Sequence, residues 1–335
     1  MTLMQTPDFL SSIRLMSQQT LIKSRLSLAG REMTTGEKGR DTISGSQNLS
    51  RIFDVERKLR ILGADVDALK VAAGKADLVQ LGLSRIGDGL SSFSSKVISG
   101  APNTGAAILT ASRAAKEELS AAMSALNSKY GRHAVFSGAA IDRNAVASAD
   151  VLLADISAII AGAGSAAAAI SQIDTYFFDP AGGYITSIYL GSQSSAPASV
   201  LSDGQRYETP VRADSEEIRQ SLRALALGFA AGVTSGTMGL DEKKLLLEEA
   251  GIAAIRAGDA MVDVRGAIGS SEESINRRMV ATQSQQIATE LERSNLRGVD
   301  PYEAAVRVEA LQLQLQSVYT LTARLADLSL TKYMR

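Results

Sequence analysis

Apolar residues recur at every seventh position through the first third of the chain: Val55, Leu62, Leu69, Ala76, Leu83, Leu90 and Val97. A companion row runs four residues behind at Leu59, Val66 and Ala73, then shifts to three residues behind at Val79, Ile86 and Phe93. This is the seam of a long helix packed against other helices, with a stutter-like slip in its register. It predicts one helix over residues 49–98, about 75 Å long at 1.5 Å per residue. Gly82, Gly87 and Gly89 each weaken that helix by roughly 1 kcal/mol relative to Ala, which marks where a kink or break would fall. A second helix follows from Ile108 through Ala111, Ala115, Leu119 and Ala122 to Leu126.

The last third repeats the theme. Leu247, Ala250, Ala254, Ala257, Met261, Val264 and Ile268 make a seam of mostly small residues that permits close helix approach. Gly298 is placed to stop a helix, and Asp300-Pro301-Tyr302-Glu303 to start another: Asp as cap, Pro in the first turn, Glu three positions on. A coiled-coil seam then runs through Ala304, Val308, Leu311, Leu315, Val318, Thr322, Leu325 and Leu328. Its N-terminal counterpart is Leu15, Gln19, Ile22, Leu26 and Ala29. Helices with one apolar stripe do not persist alone in water, so both ends are expected to be mobile until a partner subunit covers them. The candidate assembly seam is accordingly Leu15, Ile22, Leu26, Val308, Leu311, Leu315, Val318, Leu325 and Leu328.

Prolines separate these flanks from the middle. Three of the six lie between 180 and 210, and none lies in 8–101 or 211–300. The middle also holds the strand cues: Tyr184–Leu190 after Gly182-Gly183, and Asp203-Gly204 as a hairpin turn. The fold class expected is mainly α, a long antiparallel helical bundle or coiled coil formed by the N- and C-terminal flanks with a small mixed α/β insert. Residues 1–40 and 299–335 would be terminal coiled-coil segments, 41–139 and 239–298 a helical rod, and 140–238 a variable surface domain with β-hairpins.

Composition narrows the function. Lys and Arg number 35 against 36 Asp and Glu, so charge gives no reason to expect nucleic acid or a membrane surface as partner. Cysteine is absent, which removes disulfides, thiolate metal sites and a cysteine nucleophile. His133 is the only histidine, and the nearest carboxylate in sequence, Asp142, is nine residues away; it reads as a turn or surface residue. Gly162-Ala-Gly164 sits in an Ala-rich helical stretch with no strand before it, unlike a dinucleotide fingerprint. Glu216-Glu217, Asp241-Glu242 and Glu248-Glu249 point in different directions on a helix. Val151–Ile170 approaches membrane-spanning length, but half of it is Ala, Gly and Ser and it contains Asp155; a buried or partner-facing helix suits it better. The N-terminal residues lack the basic and apolar regions of a cleaved leader. No catalytic, metal or cofactor site is expected, and the chain is not expected to be an enzyme.

Several segments resemble the hook–filament junction (FlgL-type, hook-associated protein 3) branch of the flagellin superfamily. They are Arg297–Ala305, Leu311–Tyr319 and Leu325–Arg335 at the C-terminal end, Gly131–Gly138, Val264–Gly269 with Asn276-Arg277, and Thr34-Thr35-Gly36-Glu37-Lys38. Arg40-Asp41-Thr42 stands where that family usually has Pro-Ser-Asp-Asp. The resemblance implies a structural subunit of the bacterial flagellum, without cofactor, joining hook to filament through its terminal helices. It also implies export by the flagellar type III route without a cleaved signal peptide. The partners implied are the preceding hook-associated junction protein, flagellin, copies of itself and a cytoplasmic export chaperone. Two other readings stand beside it: a flagellin that forms the filament itself, and a helical coiled-coil signalling or receptor module.

Overall fold

The computed structural model describes residues 6–39, 49–100, 104–208, 210–233 and 238–333. In chain order the elements are α1 (Thr6–Thr35), α2 (Leu49–Gly100), α3 (Gly105–Leu126), β1 (Lys129–Tyr130), β2 (His133–Ala134), α4 (Ala149–Gly162) and α5 (Ala166–Phe178). A single π-helical turn (Tyr184–Ile188) follows, then β3 (Ser199–Val200), β4 (Arg206–Tyr207), α6 (Glu216–Ala230), α7 (Leu240–Arg297) and α8 (Pro301–Tyr333). The chain is mainly α, as the periodicity predicts, with two small antiparallel sheets among the described residues, β1–β2 and β3–β4. It divides into two compact units, Met1–Leu62 with Ser284–Arg335, and Gly63–Gln283. Helices α2 and α7 contribute residues to each.

In the second unit the predicted seam is the core. Leu69, Ala76, Leu83, Leu90 and Val97 of α2 are buried, and the shifted companions Val79, Ile86 and Phe93 are buried with them. Helix α7 meets this row with Ala250, Ala254, Ala257 and Met261, all buried. Large residues against small ones let the two helices approach closely. A Cβ added at Gly251 would stand 3.0 Å from Val97, and one at Gly87 3.6 Å from Met261. Helix α2 runs unbroken across its glycines, because they serve contact rather than bending. At Gly82 a Cβ would meet the Phe136 ring at 2.9 Å.

Residues 140–238 fall within the compact unit Gly63–Gln283, together with parts of the helices that flank them. The physical reason is α6. Ala224, Leu225, Ala226 and Leu227 are consecutive and all buried, so the second half of this helix is covered on every side. It packs on α3, α4 and α5. Its polar first turns are satisfied by neighbours: Arg219 donates to the Phe177 carbonyl at 3.2 Å, and Arg223 pairs with Asp174 and with Glu249. The apolar run at Val151–Ile170 is two helices, broken at Ala163–Ser165, where Ser165 Oγ caps α5 by accepting from the Ala168 N–H. No helix among the described residues is long and apolar enough to cross a membrane.

One strand cue fails and another holds. Tyr184–Ile188, expected as a strand, winds into the π-helical turn because the chain doubles back tightly on the end of α5. A Cβ at Gly182 would lie 2.5 Å from the Tyr176 carbonyl oxygen, leaving no room for a strand. The turn points Tyr184 and Ile188 into the core, and the Tyr184 hydroxyl donates to the Ala213 carbonyl at 2.6 Å. Extended pairing starts only at Tyr189, which bridges Val146. The Asp203-Gly204 hairpin forms as read: β3 and β4 are antiparallel, and Gly204 takes φ +85°, a conformation that favours glycine.

Two outcomes test this packing. A Cβ at Gly228 would fall 2.3 Å from Phe93 and 2.9 Å from the Ala115 methyl, so Gly228→Val should cost about 1–3 kcal/mol by overpacking, read as a lower Tm. The Glu272 carboxyl is held above its ordinary value, first by burial and then by Asp77. It binds its proton more tightly folded than unfolded, so it weakens the fold as pH rises through that raised value. Glu272→Gln should therefore raise the Tm slightly at neutral pH, a gain that vanishes below about pH 4.

Candidate functional site

The first unit brings the two ends of the chain together. Helices α1 and α8 pack along one another, and each covers the stripe that the other cannot hide alone. Ile22 and Ala29 of α1 are buried, as are Ala304 and Val318 of α8. Leu15 and Leu26, and Val308, Leu311 and Leu315, are half-buried along the same contact. Leu325 and Leu328 lie on α8, but their side chains fall outside the described residues, as do residues 40–48 with Arg40-Asp41-Thr42. The ends, expected to await another subunit, are thus already paired within the chain. Two amphipathic helices with matching seams lose less apolar surface to water together than apart.

The pairing is fixed at one end by a turn from each side. Gly36 ends α1 with φ +69°, and Gly298 follows α7. Between them Glu37 and Gly298 form an antiparallel bridge, with the Lys38 N–H donating to the Arg297 carbonyl at 2.7 Å and the Val299 N–H to the Gly36 carbonyl at 2.9 Å. Asp300 then caps α8 by accepting from the Tyr302 N–H at 2.8 Å. The segments at 34–38 and 297–305, distant in sequence, therefore make one structure.

Ion pairs set the register. Glu32 is only 2% exposed; its carboxylate accepts from the Gly39 N–H at 2.7 Å and meets Arg307 of α8 at 3.4 Å. Arg297 reaches Glu37 at 3.5 Å and Glu56 of α2 at 3.2 Å, and Arg51 pairs with Glu292 at 2.9 Å. A buried charge that must meet its partner penalises slipped alignments of α1 on α8. Further along, Lys23 Nζ lies 5.7 Å from the centre of the Tyr319 ring, and hydrogen bonding to Lys23 and Gln19 holds the Tyr319 phenol below its ordinary value. Sequence reasoning missed Glu32 and Arg307. The periodicity hid the first: the alternating steps of four and three continue from Ala29 to Met33, whereas the buried position is Glu32.

The pair does not hide all of its apolar surface. On the side of α8 away from its seam, Leu313 is 65% exposed, with Tyr302 and Val306 exposed in the same helical phase, and Leu321, 53% exposed, flanks the seam beside Val318. On α1, Ile13, Met16 and Leu21 are likewise exposed. These are aliphatic and thioether groups without general acids or bases among them, a surface suited to contact rather than reaction.

The residues weighed for chemistry lie in the second unit and do not converge. His133 stands exposed on β2. Glu216 and Glu217 occupy the first turn of α6. Asp241 and Glu242 occupy that of α7, where Glu242 accepts from the Ala166 N–H at 2.5 Å. Among the described residues no group of three or more His, Asp or Glu side chains gathers as a metal site.

Comparison with known proteins speaks to the same region. Residues 253–334 match the bacterial flagellin C-terminal helical region, a span that covers most of α7 and all but the last residue or so of the chain beyond it. Among solved structures, the chain is similar to FlgL of Bacillus cereus, at 10% identity and a TM-score of 0.52, over 72% of this chain and 99% of that one. That likeness is one of fold. A protein described as flagellar hook-associated, from Vibrio parahaemolyticus, aligns over 71% of this chain and 99% of its own at 13% identity. Its TM-score of 0.38 is too low to bear on the fold. No curated protein sequence matches the chain. The matched family region contains Val308, Leu311, Leu315, Val318, Leu325 and Leu328, whereas Leu15, Ile22 and Leu26 lie outside it.

If the two ends hold each other, weakening one seam must loosen both helices. Ile22→Ala should lower the local stability of the pair by about 2–5 kcal/mol. Limited tryptic digestion should then cut faster at Arg25 and Arg31 of α1 and at Arg324 of α8 together. Sites within α3 should keep their wild-type rates.

Proposed function

We infer that this chain is a structural subunit of the bacterial flagellum, of the hook–filament junction type, and not an enzyme. The observation that carries this is the α1–α8 pair: it lies partly in the flagellin C-terminal helical region and keeps a second apolar stripe on each helix turned to water. Such a surface is satisfied when neighbouring subunits cover it, and each large aliphatic side chain so buried contributes roughly 1.5–3 kcal/mol. In this reading the inner seam of Leu15, Ile22, Leu26, Val308, Leu311, Leu315 and Val318, continued by Leu325 and Leu328, shapes the pair, and the outer stripes join copies to each other and to the subunits before and after. The partners proposed are the preceding hook-associated protein, flagellin and further copies of the chain. A cytoplasmic chaperone would cover the ends before export through the type III channel without a cleaved leader.

A flagellin role is the second reading, favoured by the description of the matched region itself. The two separate by location. Immunogold labelling in cells that depend on this gene should mark a short band at the hook–filament boundary; label along the whole filament would favour flagellin. Leu313→Asp and Val306→Asp test the assembly surface. Both residues face away from the α1–α8 seam, so the purified variants should keep wild-type helical content and Tm while motility and incorporation fall by at least about tenfold. Normal incorporation of both variants would remove the outer stripe from the interface.

A further inference from the structure

The hairpin between Pro197 and Glu208 lies in the second unit, over the contact of α2 with α7 at a place where small side chains leave room between them. The residues of α2 beneath it include Ala72 and Ala76, and those of α7 include Ser271 between Ile268 and Ile275. The hairpin supplies what is missing. Leu201 is 3% exposed within the core, and Tyr207 packs half-buried against it. The gap left beneath, lined by Ala72, Ala76, Tyr207, Ile268 and Ile275 among others, is about 10 Å³, at the lower limit for one water molecule.

The hairpin's own structure is slight. Two residues of β3 pair with two of β4, and a ladder that short does not hold itself in water. Its tip is gripped from both helices instead. Asp65 of α2, 6% exposed, accepts from the Ser202 N–H at 2.8 Å and from the Ser202 hydroxyl at 2.5 Å. Asp203, the next residue, pairs with Arg278 of α7. The two attachments differ in kind. The Asp65 carboxylate is nearly out of water and accepts from two donors of Ser202, so Asp65→Asn gives up charge-assisted bonds at a site where solvent competes little for the acceptor. The Arg278–Asp203 pair is open enough to be screened by salt.

We propose that residues 197–208 form a strap that opens and closes as one piece over the α2–α7 seam, with Asp65 as its keeper and the Arg278–Asp203 pair as a weaker, salt-released second tie. When closed, it covers a stretch where Ala72 and Ala76 of α2 and Ser271 of α7 leave room between the two helices. When open, it uncovers Leu201 and the faces of Ile268 and Ile275 without disturbing α3 and α6, whose contacts lie elsewhere in the unit. Asp65 is a positioning residue here: it acts through Ser202 and touches no ligand. The strap is independent of the flagellar reading, because it rests on geometry within one unit.

Hydrogen–deuterium exchange of the full chain, resolved by peptide, tests it. In Asp65→Asn the amides of 199–207 should exchange at least about tenfold faster, and in Arg278→Gln about two- to threefold faster, with α3 and α6 unchanged in both. About 1 M sodium chloride should reproduce the Arg278→Gln profile in the wild type, but not that of Asp65→Asn. Ser202→Ala, which keeps the Asp65 charge and one of its two donors, should fall between the two variants and serves if Asp65→Asn does not fold. Unchanged exchange at 199–207 in the Asp65 or Ser202 variant would overturn the proposal. So would an equal acceleration of α3 and α6, because the hairpin would then open only with the whole core.

Discussion

Glycine facing a large side chain, in both directions between α2 and α7, is the contact on which the second unit depends. Gly251 of α7 lies against Val97, and Gly87 of α2 against Met261. Bulk against bulk would hold the helices apart, and small against small would leave voids. Once that pair is set, α3 and α6 have a floor to pack on: Phe93 reaches Gly228 of α6, and Ser112 of α3 donates to the Phe229 carbonyl at 2.8 Å. The residue that fills a gap in one helix is repeatedly the reason for a glycine in another, as with Phe136 and Gly82.

The long helices were legible because burial on one side of a helix leaves a period in the sequence. The row from Val55 to Val97 and its shifted companions are buried where the pattern puts them, and the stop at Gly298 and restart at Pro301 fall at the ends of α7 and α8. The middle was harder for two physical reasons. The second half of α6, with Ala224, Leu225, Ala226 and Leu227 all buried in succession, carries no one-sided period to read. And Tyr184–Ile188 has the β-branched and aromatic content of a strand, yet the close approach at Gly182, a property of two segments and not of one, decides its conformation. Pairing between distant segments is silent in the same way. The seams of α1 and α8 could each be read, whereas their fit to each other rests on Glu32 finding Arg307.

The terminal pair combines two functions that pull against each other. A seam tight enough to hold α1 on α8 keeps the ends from wandering, while outward residues such as Val306 and Leu313 stay exposed. Glu32 reconciles the two. A charge buried between the helices adds little net stability, but it allows one alignment, so the outward residues of both helices come to lie in a fixed pattern. The Gly36–Gly298 turns add a backbone stop at one end of the same alignment.

That alignment has a consequence in time as well as in space. Glu32 and Arg307 are 275 positions apart. At roughly 5–20 residues per second, a ribosome would take about 15–55 s to make the second after the first. Throughout that interval α1 exists with its seam uncovered, long after α2 and α3 have been made and can begin to fold. The first helix to be synthesised is thus among the last to find its place. Whatever holds it in the meantime must recognise an aliphatic stripe on an otherwise polar helix, and must let go when α8 arrives.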